Sequence, residues 1–309
     1  MLRLSASIFS VYHLNLKHMK HIIILILSIA SVSFVSCGTQ NKKKSGLADQ
    51  TIYTGYLILG PEAQSFTECK GKAISYWING NTISKELSAS YEALSLPLPY
   101  SSIYVELTGS IDTLSPREGF ASQYDGLFTI DSVVKAEALS AENDCDGRLN
   151  NIFDKTFESG DIAFRILSAT GSLSPSVIIP SGFEEDNAPQ HKEVDGSIQQ
   201  VELTDLNSDG YNEIICFTTS AGSGSYGDIW AFASNKNKSI SEIYLQPLSD
   251  PSGYMGHDRF YIEDNRLKRE FPLYKEEDTN NRPTAGKRII TYQLEQGEAG
   301  WLLTEQSVQ

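Results

Sequence analysis

The chain is poor in the residues that most often mark an active centre. It has four cysteines in 309 residues, Cys37, Cys69, Cys145 and Cys216, and no two stand at the Cys-x-x-Cys spacing of a zinc or dithiol site. Of five histidines, three lie before residue 22, which leaves His191 and His257 for the body of the protein. His191 sits in the polar segment 184–195. His257 is followed by Asp258, but neighbours on a strand point to opposite faces, so the two are not a natural acid–base pair. His257 is expected to be structural, near the turn at Gly253–Gly256. Positive charge is also short, with 25 Lys and Arg against 39 Asp and Glu. The first 36 residues hold three of those bases (Arg3, Lys17, Lys20) and no acid, so the remainder, with 22 bases, stands at −17. This balance excludes a nucleic-acid binder. In so acidic a chain, Asp/Glu pairs carry no information about catalysis.

The N-terminus reads as an address. Lys20, the apolar run Ile22–Ile29 and the small residues leading to Ser36-Cys37 form the pattern of a bacterial lipoprotein leader, with Phe34 departing from the usual Leu. The run is too short to span a bilayer. Residues 1–36 are therefore expected to be a signal peptide, with 1–18 as an upstream mis-start, and Cys37 the lipidated residue that ties the chain to the membrane. Residues 37–50, with Lys42, Lys43 and Lys44, read as a flexible tether. Cys69 and Cys145 lie in polar surroundings at the two ends of the first domain, which suits a disulfide in an oxidising compartment. Cys216, inside an apolar strand, is expected to be buried and inert. The expected location is the cell envelope, lipid-anchored and facing the periplasm, since no Asp or Glu follows Cys37 directly.

Beyond the tether, short alternating segments dominate and predict an all-β protein. Residues 51–146 suggest a small antiparallel barrel with a helix at Ser88–Leu94, residues 147–157 a linker or short helix, and residues 158–309 an antiparallel β-sandwich of about eight strands.

Two signals stand side by side in the second half. The turn Asp205-Leu206-Asn207-Ser208-Asp209-Gly210-Tyr211-Asn212-Glu213 runs into the strand Ile214–Phe217, which opens into Ser220-Ala221-Gly222-Ser223-Gly224-Ser225-Tyr226-Gly227. The side chains of Asp205, Asn207, Asp209 and Glu213 with the Tyr211 carbonyl are oxygen donors suited to structural calcium. Their spacing departs from the twelve-residue EF-hand loop, and an Asx-rich turn ordered by its own hydrogen bonds accounts for them equally well. Both readings stay open. The glycines of the second stretch favour a narrow prong because Gly222, Gly224 and Gly227 accept positive φ. Ser223 has no candidate base at recognisable spacing and no nucleophile-elbow context, so the chain does not read as an enzyme.

Ser223-Gly224-Ser225-Tyr226 resembles the Ser-Gly-x-Tyr signature of bacterial periplasmic lysozyme inhibitors. The flanking Asp205–Gly210 turn, Gly253–Asp258, Arg269–Tyr274 and Asp278–Asn280 narrow the similarity to the inhibitors of invertebrate-type lysozymes, over residues 195–309. The resemblance implies a protein partner, lysozyme, with this loop entering its active-site cleft and Ser223 and Tyr226 as principal contacts. No cofactor is required, and pairing into a homodimer is left open. The run Gly60–Cys69, with Tyr104–Glu106 and Tyr124–Leu127, is similar to the OB-like C-terminal domain of the NlpE copper-resistance and surface-sensing lipoproteins. Two other readings compete, a calcium-dependent glycan or cell-wall binder and an envelope stress sensor acting through the first domain.

Overall fold

A computed structural model describes residues 51–70, 74–298 and 300–309. The expected leader, the lipidated Cys37 and the tether fall outside them. The first strands are β1 (Ile52–Leu59), β2 (Gln64–Glu68), β3 (Ser75–Ile78), β4 (Ile103–Asp112) and β5 (Gly126–Glu137), and they close into a barrel in the order β1-β2-β3-β5-β4. Closure removes the exposed strand edges that a five-stranded sheet would otherwise leave open. Glycine is required where strands press together: a Cβ on Gly55 would lie 2.0 Å from the Thr67 carbonyl oxygen. Helix α1 (Lys85–Leu94) starts three residues before the expected Ser88, because Ser84 caps it by accepting the Leu87 N–H at 3.1 Å. Its Leu87 and Tyr91 join Leu57, Phe66, Ile103 and Phe128 in the barrel core.

Among the described residues the second half has twelve strands rather than about eight. A four-stranded antiparallel sheet holds β6 (Ile152–Ser159), β7 (Ile162–Ala169), β8 (Leu173–Ser181) and β9 (Gln190–Asp195) in sequence order. The other eight are β10 (Ser197–Thr204), β11 (Glu213–Thr219), β12 (Gly227–Ser234), β13 (Ile240–Leu245), β14 (Arg259–Glu263), β15 (Arg266–Pro272), β16 (Lys287–Gln296) and β17 (Trp301–Val308). They run in the order β10-β11-β12-β13-β17-β16-β15-β14, and β13 and β17 pair in parallel. The alternating segments at 161–167, 197–203, 212–218, 228–233, 241–245, 259–262, 288–294 and 300–304 are strands, as their pattern predicts, and β6, β8, β9 and β15 are additional to them. Each is short of the apolar alternation that marks a half-buried strand: β8 carries Pro175 and Pro180 near its ends, and β9 and β15 are rich in charge.

The linker expected at 147–157 is likewise not a linker. It is a 3-10 turn at Arg148–Asn151 followed by β6, which pairs along its whole length with β7. The Tyr56 hydroxyl of β1 donates to Asp144 at 2.9 Å and accepts from the Asp146 N–H at 3.0 Å, while the Arg148 guanidinium lies 4.0 Å from the Tyr56 ring centroid. Leu96 and Leu98, from the α1–β4 connection, pack with Leu167, Val177 and Ile179 of β7 and β8. Barrel and sandwich thus meet through an apolar contact.

Strand β11 is buried on both faces. Ile214 and Cys216 point into a core shared with Phe164, Ile166 and Ile178 of the small sheet, and Ile215 and Phe217 into a second core with Leu267, Phe271, Ile290 and Leu303. Phe217 stacks on Phe260 at 6.2 Å although β11 and β14 stand six strands apart in sheet order, so the large sheet curls over itself. A strand buried on both faces reads as a continuous apolar run. It is also the strand that delivers the glycine-rich loop.

Candidate functional site

The loop between β11 and β12 is closed at its base by Ser220 and Tyr226. The Ser220 N–H donates to the Tyr226 carbonyl at 2.8 Å, and the Tyr226 N–H donates to Ser220 Oγ at 3.0 Å. At the tip the Ser225 N–H donates to the Gly222 carbonyl at 2.9 Å, forming a tight turn. Positive φ falls on Ser225 (+43°) and not on Gly222, Gly224 or Gly227, which corrects the expected role of those glycines. Two of them are needed for space instead. A Cβ on Gly224 would sit 2.4 Å from the Tyr226 ring, and one on Gly227 would sit 2.7 Å from Asp258 Cβ. Ser223 is exposed, and Tyr226 keeps 49% of its surface open to solvent.

Three distant segments brace this loop. From 253–258, the His257 N–H donates to the Gly224 carbonyl at 2.6 Å; the chain comes this close because Gly256 has φ +88° and no side chain. From 278–280, Asn280 Nδ2 donates to the Ser223 carbonyl at 2.6 Å, and its Oδ1 lies 3.1 Å from His257 Nε2. His257 stacks on Tyr274, whose hydroxyl donates to the Asn280 carbonyl at 2.9 Å. His257 is thus a structural residue. Underneath, Arg269 Nε donates to Asp258 Oδ1 at 2.7 Å, and Asp258 Oδ2 accepts from the Tyr254 hydroxyl at 2.6 Å and the Gly227 N–H at 2.9 Å. The Asp258 side chain is fully buried and that of Arg269 nearly so. Burial works against the Arg269 charge, but Asp258 outweighs it and holds the guanidinium above its ordinary pKa; for the Tyr254 hydroxyl burial acts in the other direction and raises its pKa. The Tyr226 ring meets Tyr254 edge to face at 5.7 Å, so the exposed phenol rests on this buried network. Beside the loop lies a cleft of about 250 Å³, lined by Lys192, Thr218, Ser220, Tyr226, Asp228 and Trp230.

The acidic turn is ordered by its own side chains. Asp205 accepts from the Asp209 and Gly210 N–H groups at 3.0 and 2.9 Å, Asn207 Oδ1 from the Asp209 N–H at 3.0 Å, and Asp209 Oδ1 from the Tyr211 N–H at 2.9 Å. Glu213 is fully buried and accepts from the Leu206 N–H at 2.7 Å. Burial, with Asp209 and Asp205 nearby, pushes its carboxyl up to about 7. Among the described residues no three acidic, histidine or cysteine side chains already converge into a metal cage. Cys69 and Cys145 form the expected disulfide, and Cys216 is a buried free thiol whose pKa burial raises.

The described residues thus present a braced, hydroxyl-bearing loop on an all-β scaffold. Residues 187–253 match the family described as periplasmic lysozyme inhibitor of I-type lysozyme. The matched segment holds the acidic turn, β11 and the loop; most of the bracing residues lie beyond it. This finding supports a periplasmic lysozyme inhibitor, with lysozyme as the protein partner. No curated protein matches the chain. A solved exo-1,5-alpha-L-arabinanase from a bovine ruminal metagenomic library is similar at 11% identity over 66% of this chain and 69% of its own, with a TM-score of 0.23, too low to argue from.

Proposed function

We propose that the protein is a lipid-anchored envelope inhibitor of invertebrate-type lysozyme that works by inserting the Ser223-Gly224-Ser225-Tyr226 loop into the active-site cleft. The observation that carries this reading is convergence: Gly253–Asp258 and Asp278–Asn280 fix the loop's backbone, Arg269 and Tyr274 hold those two segments in turn, and Ser223 and Tyr226 stay open. A loop held this way loses little conformational entropy on binding. Lysozymes cleave with a pair of carboxyl groups in a groove shaped for a sugar chain. The Ser223 hydroxyl can donate to a carboxylate or accept from a carboxylic acid, and Tyr226 offers a flat face with a polar tip where a sugar ring would stack.

In this reading Cys37 carries the lipid and the barrel acts as a spacer. The acidic chain speeds encounter with a cationic hydrolase, less so as salt rises. The inhibitor supplies no catalytic group. The test is the clearing of a cell-wall suspension by an invertebrate-type lysozyme, with the wild-type chain and with Ser223→Ala/Tyr226→Ala. Wild type is expected to suppress clearing near equimolar ratio, and the double variant to need at least about a hundredfold more for loss of two interface anchors. Unchanged clearing with excess wild type would overturn the reading.

A further inference from the structure

We infer that the acidic turn preceding β11 is a calcium site, closed by the buried carboxylate of Glu213. The turn alternates oxygen donors, with the Asp205, Asn207 and Asp209 side chains, the Tyr211 carbonyl and the Glu213 carboxylate at every second position. Gly210, at φ +88°, and Ser208, at φ +60°, bend the chain between them. A cluster of this kind can be nothing more than a solvated turn. What distinguishes this one is an atom: Glu213 has no exposed surface, its Oε2 accepts the Leu206 N–H, and its Oε1 is buried with no hydrogen-bond partner.

An isolated carboxylate oxygen inside a protein is costly unless something positive meets it. Among the described residues no ion pair involves Asp205, Asp209 or Glu213, so no side chain fills that role. The Glu213 carboxyl faces the turn, since Leu206, whose N–H it accepts at 2.7 Å, lies within it.

The hydrogen bonds within the turn do not exhaust the donors. Each carboxylate offers about four lone-pair directions, and the turn's N–H groups occupy only some of them. One contact has to open, the 3.1 Å bond from Asn207 Nδ2 to Asp209 Oδ2 at the exposed rim. Oxygen-only ligands with irregular geometry suit calcium, whereas magnesium demands near-octahedral order and holds its waters. The cation would pin the start of β11, whose far end opens into the Ser220–Tyr226 loop. The inference stands independently of which protein that loop meets.

The test uses the full chain, freed of metal with a chelator, titrated with calcium chloride and separately with magnesium chloride in a calorimeter, with melting followed in parallel. One calcium per chain, a melting temperature raised by calcium, and magnesium at least about tenfold weaker are the expected results. Asp209→Asn, at an exposed position, is expected to melt like wild type in chelator and to bind calcium at least about tenfold more weakly. No heat and no change in melting for wild type would overturn the inference, Oε1 then carrying a proton. Equal calcium affinity in Asp209→Asn would overturn it as well, by locating the ion elsewhere.

Discussion

Asn280 Nδ2 donates to the Ser223 carbonyl at 2.6 Å across 57 residues of sequence, and the same side chain meets His257 through its Oδ1. One amide thus ties the loop tip to the second of its supports. Asn280→Ala is expected to leave the melting temperature nearly unchanged and to weaken lysozyme inhibition about tenfold, the loss of roughly one buried-equivalent hydrogen bond. Inhibition titrations read the affinity, and faster amide exchange at Gly222–Tyr226 reads the loosened loop.

Two glycines near the tip should respond in opposite ways. A Cβ at Gly256 would lie 2.1 Å from the Gly224 carbonyl oxygen at a φ of +88°, whereas a Cβ at Gly222 would meet nothing within 4 Å. Gly256→Ala is therefore expected to cost about 1–3 kcal/mol and to displace the loop, lowering inhibition. Gly222→Ala should be tolerated in both stability and inhibition. Urea melts of the two variants provide the comparison.

The Asp258–Arg269 pair predicts a stability effect without any change in the exposed loop chemistry. Removing one partner leaves the other charge buried, so Asp258→Ala is expected to cost about 3–5 kcal/mol in denaturant unfolding. It also frees the Gly227 N–H at the base of the loop. An effect below about 1 kcal/mol would mean that water reaches Arg269 and that the pair is not the loop's foundation.

Glu213 gives a pH dependence of defined sign. Its carboxyl titrates near about 7 in the folded chain, chiefly through burial, against an ordinary value of 4.5. Between those values the folded chain holds a proton that the unfolded chain has released, so stability falls as pH rises through this window and levels off above it. Glu213→Gln, in chelator, should flatten that slope and gain up to about 3 kcal/mol relative to wild type between pH 4.5 and 8. Thermal melts across that range measure it.

Much of the scaffold was legible because a strand period of two is written in side chains that face a core. The run Ile214–Phe217 marked the strand between two cores, and Cys69 with Cys145 marked the disulfide. Strands β6, β8, β9 and β15 were hidden because Pro175, Pro180 and a wealth of charged residues look like loop chemistry; pairing with neighbours decided them. At the site, composition located the loop but misassigned its glycines. Gly224 and Gly227 make room for Tyr226 and Asp258, while Ser225 takes the positive φ. Asn280 reaches the loop across 57 residues of sequence and Asp258 reaches Gly227 across 31, so no local pattern encodes their roles, and Arg269 acts on the loop through Asp258. In the sequence, Asp258 stands out only as the neighbour of His257, and Asn280 and Arg269 only within segments that carry the family resemblance.

Occupancy of the lysozyme groove is the claim on which the functional account turns. Its most direct measurement is calorimetric binding of this chain to an invertebrate-type lysozyme, with the groove empty and with it filled by increasing concentrations of a chitooligosaccharide. The account expects one-to-one binding whose apparent affinity falls in proportion to saccharide occupancy, and no such competition in Ser223→Ala/Tyr226→Ala. Binding that is indifferent to the saccharide, or no binding at all, would contradict it.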